Sequence, residues 1–137
     1  MQVVAYVLSK YNDFIHDKPI SIDLKGGCCD TKRRIDLRKL NNDTMLCTEI
    51  DEDQHKSYIK EHEVIRYDDL FMDFSGKSIF IRYNPDKFKE KLGKSKNPYF
   101  NSRMQVLESV IRKHILRIQA EDNDSLLEIH HVFYDEI

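Results

Sequence analysis

The stretch that decides the fold is Arg34-Ile35-Asp36-Leu37-Arg38-Lys39-Leu40-Asn41-Asn42-Asp43-Thr44-Met45-Leu46-Cys47-Thr48-Glu49-Ile50-Asp51. Residues Arg34 to Leu40 read as one strand and Thr44 to Asp51 as another. Between them Asn41-Asn42-Asp43 is turn chemistry, because Asn and Asp tolerate left-handed backbone and bond their own chain. A hairpin is therefore expected. Glu49 and Asp51 are two apart, and period-two geometry sets them on one face of the sheet. If the turn is at Asn41 to Asp43, pairing brings Asp36 beside Glu49. Leu46, Cys47 and Ile50 imply a partly buried strand, and buried acids need partners. A cation would relieve the mutual repulsion, and oxygen ligands of this kind suit magnesium or manganese. The competing reading is a hairpin whose acids simply face solvent.

Working outward, Val3, Val4, Val7, Leu8, Tyr11 and Phe14 or Ile15 recur at helical spacing, which predicts a first helix ending near His16. Ile20, Ile22 and Leu24 alternate as a strand would, up to Gly26-Gly27. Beyond the hairpin, Tyr58 to Phe74 predicts a second helix, with Ile59, Arg66, Leu70, Phe71 and Phe74 in register and Gly76 as its stop. Ser78 to Tyr83 is a short apolar strand closed by Asn84-Pro85-Asp86, and a lysine-rich loop with Gly93 and Pro98 follows. Ser102 can cap a third helix, along which Met104, Leu107, Ile111, Ile115 and Ile118 share a face. Leu126 to Tyr134 closes the chain as a strand. The expected order is α-β-β-β-α-β-α-β, an α/β mixed sheet with helices on both sides, in one domain spanning 1–137.

Composition is compatible with that architecture. The chain has 137 residues, 40% of them hydrophobic, enough for one buried core. The run Met1 to Leu8 is too short for a secretory core and lacks a basic leader, and no stretch reaches the length of a membrane span. An intracellular protein without membrane attachment is expected. Cys28 and Cys29 are adjacent and Cys47 lies in an apolar run, so three thiols without CxxC spacing argue against both a disulfide framework and a zinc site. The net charge of −2 is unevenly spread. Lys32, Arg33, Arg34, Arg38 and Lys39 crowd one segment, and Lys87, Lys89, Lys91, Lys94 and Lys96 another. Between them lie Glu49, Asp51, Glu52 and Asp53. Basic flanks can hold phosphates around a cation-binding centre.

Four segments taken together, Arg33-Arg34-Ile35-Asp36, Glu49-Ile50-Asp51-Glu52-Asp53-Gln54-His55, Arg66-Tyr67-Asp68-Asp69-Leu70 and Ile79-Phe80-Ile81-Arg82-Tyr83-Asn84-Pro85-Asp86, resemble a family found in large DNA viruses. That family resembles in turn the PD-(D/E)XK nucleases, the restriction-endonuclease-like fold, near the very short patch repair and EDxHD homing endonucleases. The resemblance covers residues 33 to 88 and extends toward His130-His131-Val132-Phe133-Tyr134-Asp135. It implies a Mg2+- or Mn2+-dependent endonuclease acting on DNA, with RNA left open. Asp36 and Glu49 match the two motif acids and would be metal ligands, with Asp51 joining them. Ile35 replaces the motif proline, and Asp51 stands where the motif has lysine. The repair branch uses histidine instead, so His55 is the implied water-positioning base, with Lys56 second and Gln54 orienting water or contacting DNA.

Arg33, Arg34, Arg66, Arg82 and Lys87 are the expected nucleic-acid contacts, Arg66 and Arg82 having the bidentate fork that grips phosphate. Asn84 and Asp86 end a strand expected beside the hairpin. Asp13 and Asp17 could add a helical carboxylate or act as caps. His130 and His131 are read as structural. Cutting both strands of a duplex would call for a homodimer. A virus would place such an enzyme in the host cytoplasm or nucleus, or in the virion. The alternative is a nuclease-fold module that binds nucleic acid or a partner without cutting, and a virion interaction protein is a third class.

Overall fold

The computed structural model describes residues 2–19, 34–55, 60–74 and 76–136. Helix α1 (Gln2–Lys10) buries Val3, Val4 and Val7 on one stripe. It stops at Lys10, short of the expected His16. The Tyr11 amide still reaches the Val7 carbonyl (2.8 Å), but Asn12 and Asp13 then turn the chain. Phe14 is buried as the helical spacing requires, yet it packs edge-on against Tyr11 at 6.1 Å from a turn. The first strand, β1 (Ile15–Pro19), follows at once. The strand expected at Ile20 to Leu24 lies outside the described residues, as do Cys28 and Cys29.

Strands β2 (Arg34–Asn41) and β3 (Thr44–Ile50) form the expected hairpin, paired from Leu37↔Thr48 to Asn41↔Thr44. Asn42 takes the left-handed conformation at the turn (φ 54), where Asn is among the least strained side chains. Helix α2 (Lys60–Asp73), strand β4 (Lys77–Tyr83), helix α3 (Phe100–Gln119) and strand β7 (Leu127–Val132) complete the main body. The expected lysine-rich loop contains instead a short hairpin, β5 (Phe88–Lys89) and β6 (Ser95–Lys96). Helix α3 begins two residues before Ser102, after Tyr99, with no side-chain cap bond. Gly76 does not cap α2. A Cβ there would come within 2.7 Å of the Phe74 ring and 3.1 Å of the Asp43 carbonyl, so close approach requires the glycine.

The main sheet has the order β1-β2-β3-β4-β7, with β2 antiparallel to both its neighbours and β3, β4 and β7 mutually parallel. One face carries α1 and α3. There Met104, Leu107, Ile111, Ile115 and Ile118 of α3 pack on Leu37, Leu46, Ile79 and Ile81. Each such buried side chain contributes roughly 1.5–3 kcal/mol. The other face carries α2, whose Leu70 meets Ile35, Met45, Cys47 and Phe80. Phe71, expected in that stripe, is half exposed. The connections β3-α2-β4 and β4-α3-β7 step the same way across the sheet but pass over opposite faces. They therefore have opposite hands, so one of the two departs from the usual right-handed rule.

Cys47 is fully buried, and burial pushes its thiol well up, which leaves it protonated and inert. On the α3 face His114 is buried and stacks on His130 of β7 at 4.3 Å. Burial, then the neighbouring His130, lowers His114 to about 4. Arg117 bonds Glu128 at 2.8 and 3.0 Å, and that bond holds Glu128 down at about 2. A histidine lowered in the fold favours folding above its ordinary value of 6.5 and loses that contribution as pH falls toward 4. Urea melts between pH 7 and 4 should therefore show a steep acid loss that His114→Gln flattens. An unchanged slope would assign the loss elsewhere.

Candidate active site

The carboxyl ends of β3 and β4, the edge of α2 facing them, and the segment after β7 gather most of the charged side chains of interest. The regular ladder between β2 and β3 ends at Leu37↔Thr48, one residue before Asp36 and Glu49. Side chains take over from there. The Ile50 amide donates to Asp36 Oδ2 at 2.8 Å, and the Asp36 amide approaches Glu49 Oε2 at 3.5 Å. The hairpin thus brings the first two expected acids together. Asp17, with a positive φ of 47, sits on β1 between the pairs His16↔Leu37 and Lys18↔Ile35, at the level of Asp36. Asp13, three residues past the end of α1, instead pairs with Lys39 at 2.8 Å.

Glu49 is buried, and Arg66 of α2 forms an ion pair with it. Burial pushes the Glu49 carboxyl up to about 7; Arg66 pulls it down and Asp36 adds to the rise. Asp51 is fully buried one step further on. Its amide continues the β3–β4 ladder by donating to the Tyr83 carbonyl at 2.7 Å. Its carboxylate accepts from Arg82 Nε and from the Tyr134 hydroxyl.

Arg82 is the hub. The ladder makes it the neighbour of Glu49 on one side and of His131 on the other. Besides Asp51, its guanidinium donates to Glu63 at 2.7 and 3.3 Å and to the Tyr67 hydroxyl at 2.9 Å. Burial disfavours the Arg82 cation, but its bonds to Glu63 and Asp51 outweigh that and hold it charged. Glu63, Arg66 and Tyr67 are three and four apart, which places all of them on one side of α2. Burial raises Tyr67, and burial with the Asp51 bond raises Tyr134, so both phenols stay neutral. Burial and Arg82 lower His131, which stacks against Tyr134 at 4.4 Å.

Gln54 does not face the acids. Its side chain exchanges two bonds with Asp135, at 3.1 and 2.7 Å, tying the 3-10 turn at Glu52–His55 to the segment after β7. The backbone of His55 belongs to that turn, and its side chain lies outside the described atoms, as does that of Arg34. Arg33 and Lys56 lie outside the described residues. Lys87 is exposed just beyond β4. Asn84 is buried and bonds the Asp86, Lys87 and Phe133 carbonyls, so it closes the strand end internally. His130 bonds Glu128 at 2.9 Å on the opposite face from the acids.

Sequence reading passed over Glu63, Tyr67, Tyr134 and the placement of His131. Only the first two carried a signal, Glu63 lying three residues before Arg66 and four before Tyr67 on one helix. The residues present fit a hard cation in one place. Glu49 Oε2 lies 3.5 Å from the Asp36 amide, the charge of Asp36 is felt by Glu49, and Glu49 carries more unfavourable burial than Arg66 offsets. Among the described residues no group of three His, Cys, Asp or Glu side chains is arranged as a ready metal cage, and no helix is long and apolar enough to cross a membrane. Comparison of the chain with protein-family models, curated proteins and solved structures finds no match.

Proposed function

We propose that this chain is a metal-dependent endonuclease of the PD-(D/E)XK type that hydrolyses phosphodiester bonds in DNA. The observation that carries the reading is the meeting of Asp36 and Glu49 where the β2–β3 ladder opens. The five-stranded mixed sheet with helices over both faces is compatible with that fold class. Asp36 and Glu49 would hold Mg2+ or Mn2+, which when bound lowers the pKa of a water and neutralises charge on the phosphate. Asp51 is the third acid of the set.

Asp51 stands in place of the motif lysine, and Arg82, next to Glu49 across the ladder, balances its charge together with that of Glu63. Arg66, which pairs with Glu49, would be able to contact phosphate if a cation were held by that carboxylate. His55 and Lys56, which follow Asp51 in sequence, would be the groups to position the attacking water, whereas Gln54 is tied to Asp135. Arg33, Arg34 and Lys87 supply further backbone contacts, and two copies would cut both strands.

One observation favours the second reading, a binding module that does not cut. Glu49 and Asp51 already have arginine partners, which makes a self-neutralised site. Supercoiled plasmid with Mg2+ or Mn2+ separates the two. The expected result is nicked circle from the wild type, with Asp36→Asn at least about 100-fold slower. DNA binding without any nicking in either metal would establish the module instead.

A further inference from the structure

We propose that the β5–β6 hairpin is a wedge for duplex DNA, its lysines gripping the backbone while Leu92 at its tip enters the base stack. The inference rests on the nuclease reading for its biological target. The tip is closed by two backbone bonds, Gly93 amide to Glu90 carbonyl and Glu90 amide to Lys94 carbonyl, each 2.8 Å. Gly93 has φ 85, and nothing lies within 4 Å of where its Cβ would be, so the tip stands in open solvent. Leu92 at that tip is 91% exposed. A large aliphatic side chain held out on a tight turn serves no purpose in the core.

Charge identifies the partner. Residues 86–96 hold five lysines against Asp86 and Glu90, a net of +3, whereas the whole chain is −2 and the remainder therefore −5. A basic projection on an otherwise acidic molecule suits a polyanion. Lysines around one exposed aliphatic residue are the arrangement by which proteins hold a duplex and unstack a base step.

The base of the hairpin is rigid and is joined to the candidate site. Buried Arg103 bonds the Asn84, Asp86 and Pro98 carbonyls and the Asn97 side chain, at 2.9–3.0 Å, and so clamps both legs. Phe88 is buried against Phe133 (5.7 Å). Asp135 accepts from the Lys89 amide at 2.8 Å and from Gln54 at 3.1 Å, linking the hairpin to the turn that follows Asp51.

The test uses the full chain in EDTA, where no cleavage occurs, with a duplex carrying 2-aminopurine at successive positions. Wild-type binding should raise fluorescence at one step. Leu92→Ala should abolish the rise while weakening binding by no more than about tenfold, and Leu92→Phe should retain it. Lys91→Ala and Lys94→Ala should each lower the slope of log affinity against log salt by about 1. A rise that survives Leu92→Ala overturns the proposal. So does failure to bind the duplex, including the case in which only phosphatidylserine vesicles are bound. A Leu92-dependent rise with no plasmid nicking in Mg2+ supports the wedge and removes the nuclease reading; nicking with no such rise does the reverse.

Discussion

Arg82→Ala is expected to destabilise the protein by about 3–5 kcal/mol, the cost of leaving one partner of a buried ion pair behind. Asp51 is fully buried, and Arg82 donates to it, to Glu63 and to Tyr67. Without the guanidinium, Asp51 must either stay ionised in a poorly solvated site or take up a proton. Either route disfavours the fold at neutral pH. Arg82→Lys should recover only part of the loss, because one ammonium cannot reproduce a fork that reaches three partners. Urea unfolding checks both values, and the fall in Tm should be on the order of 10 °C. A double-mutant cycle with Asp51→Ala should show strong coupling, since removing both charges takes away the buried carboxylate that the single Arg82 variant leaves behind. A loss below about 1 kcal/mol for Arg82→Ala would mean that water reaches Asp51 and that the network is a surface feature.

Much of the architecture was readable because it is written in local pattern. The hairpin needed only its turn residues and two apolar runs. The buried stripe of α3 follows from helical spacing, and all five of its expected residues are in the core. Errors fell where tertiary contact overrides local signal. Phe14 keeps helical spacing with Val7 but reaches the core from a turn. Ser102 is a good cap residue, yet α3 begins at Phe100. The lysines of the expected loop gave no hint of β5 and β6, whose pairing depends on the turn at Gly93.

The candidate site divides in the same way. Asp36 and Glu49 come together through hairpin register, which the sequence encodes locally. The arginine partners do not follow from register. Arg66 is 17 residues from Glu49, Arg82 is 31 from Asp51, and Tyr134 is 83 from Asp51. Those contacts depend on how α2 is rotated over the sheet and on β7 lying beside β4. Neither leaves a periodic trace. His131 was read as structural because only the register with Arg82 puts it on the face of the acids.

Glu49→Gln should make the metal-free protein more stable at pH 8 and, at the same time, unable to cut. The wild-type carboxyl is raised from 4.5 to about 7, by burial first. A carboxyl raised in the fold binds its proton more tightly there than in the unfolded chain. Its contribution is complete below the ordinary value, shrinks as pH rises from about 4.5 to 7, and is gone above. A rise from 4.5 to about 7 corresponds to about 3 kcal/mol. Glutamine has the shape of the protonated acid and can still accept from Arg66, so it should remove this slope and hold the low-pH stability at pH 8. Magnesium should reverse the ranking, because a cation needs the ionised oxygen. The wild type should gain Tm with added Mg2+, increasingly as pH rises through 7, and Glu49→Gln should gain little. Its plasmid nicking should fall by at least about 100-fold. If Glu49→Gln were instead less stable at every pH between 5 and 8, the ion pair with Arg66 would outweigh burial, and Glu49 would be a structural anion. A residue kept at a cost to metal-free stability and essential once metal is added is what a ligand predicts, and a purely structural pair predicts the opposite sign in the first measurement.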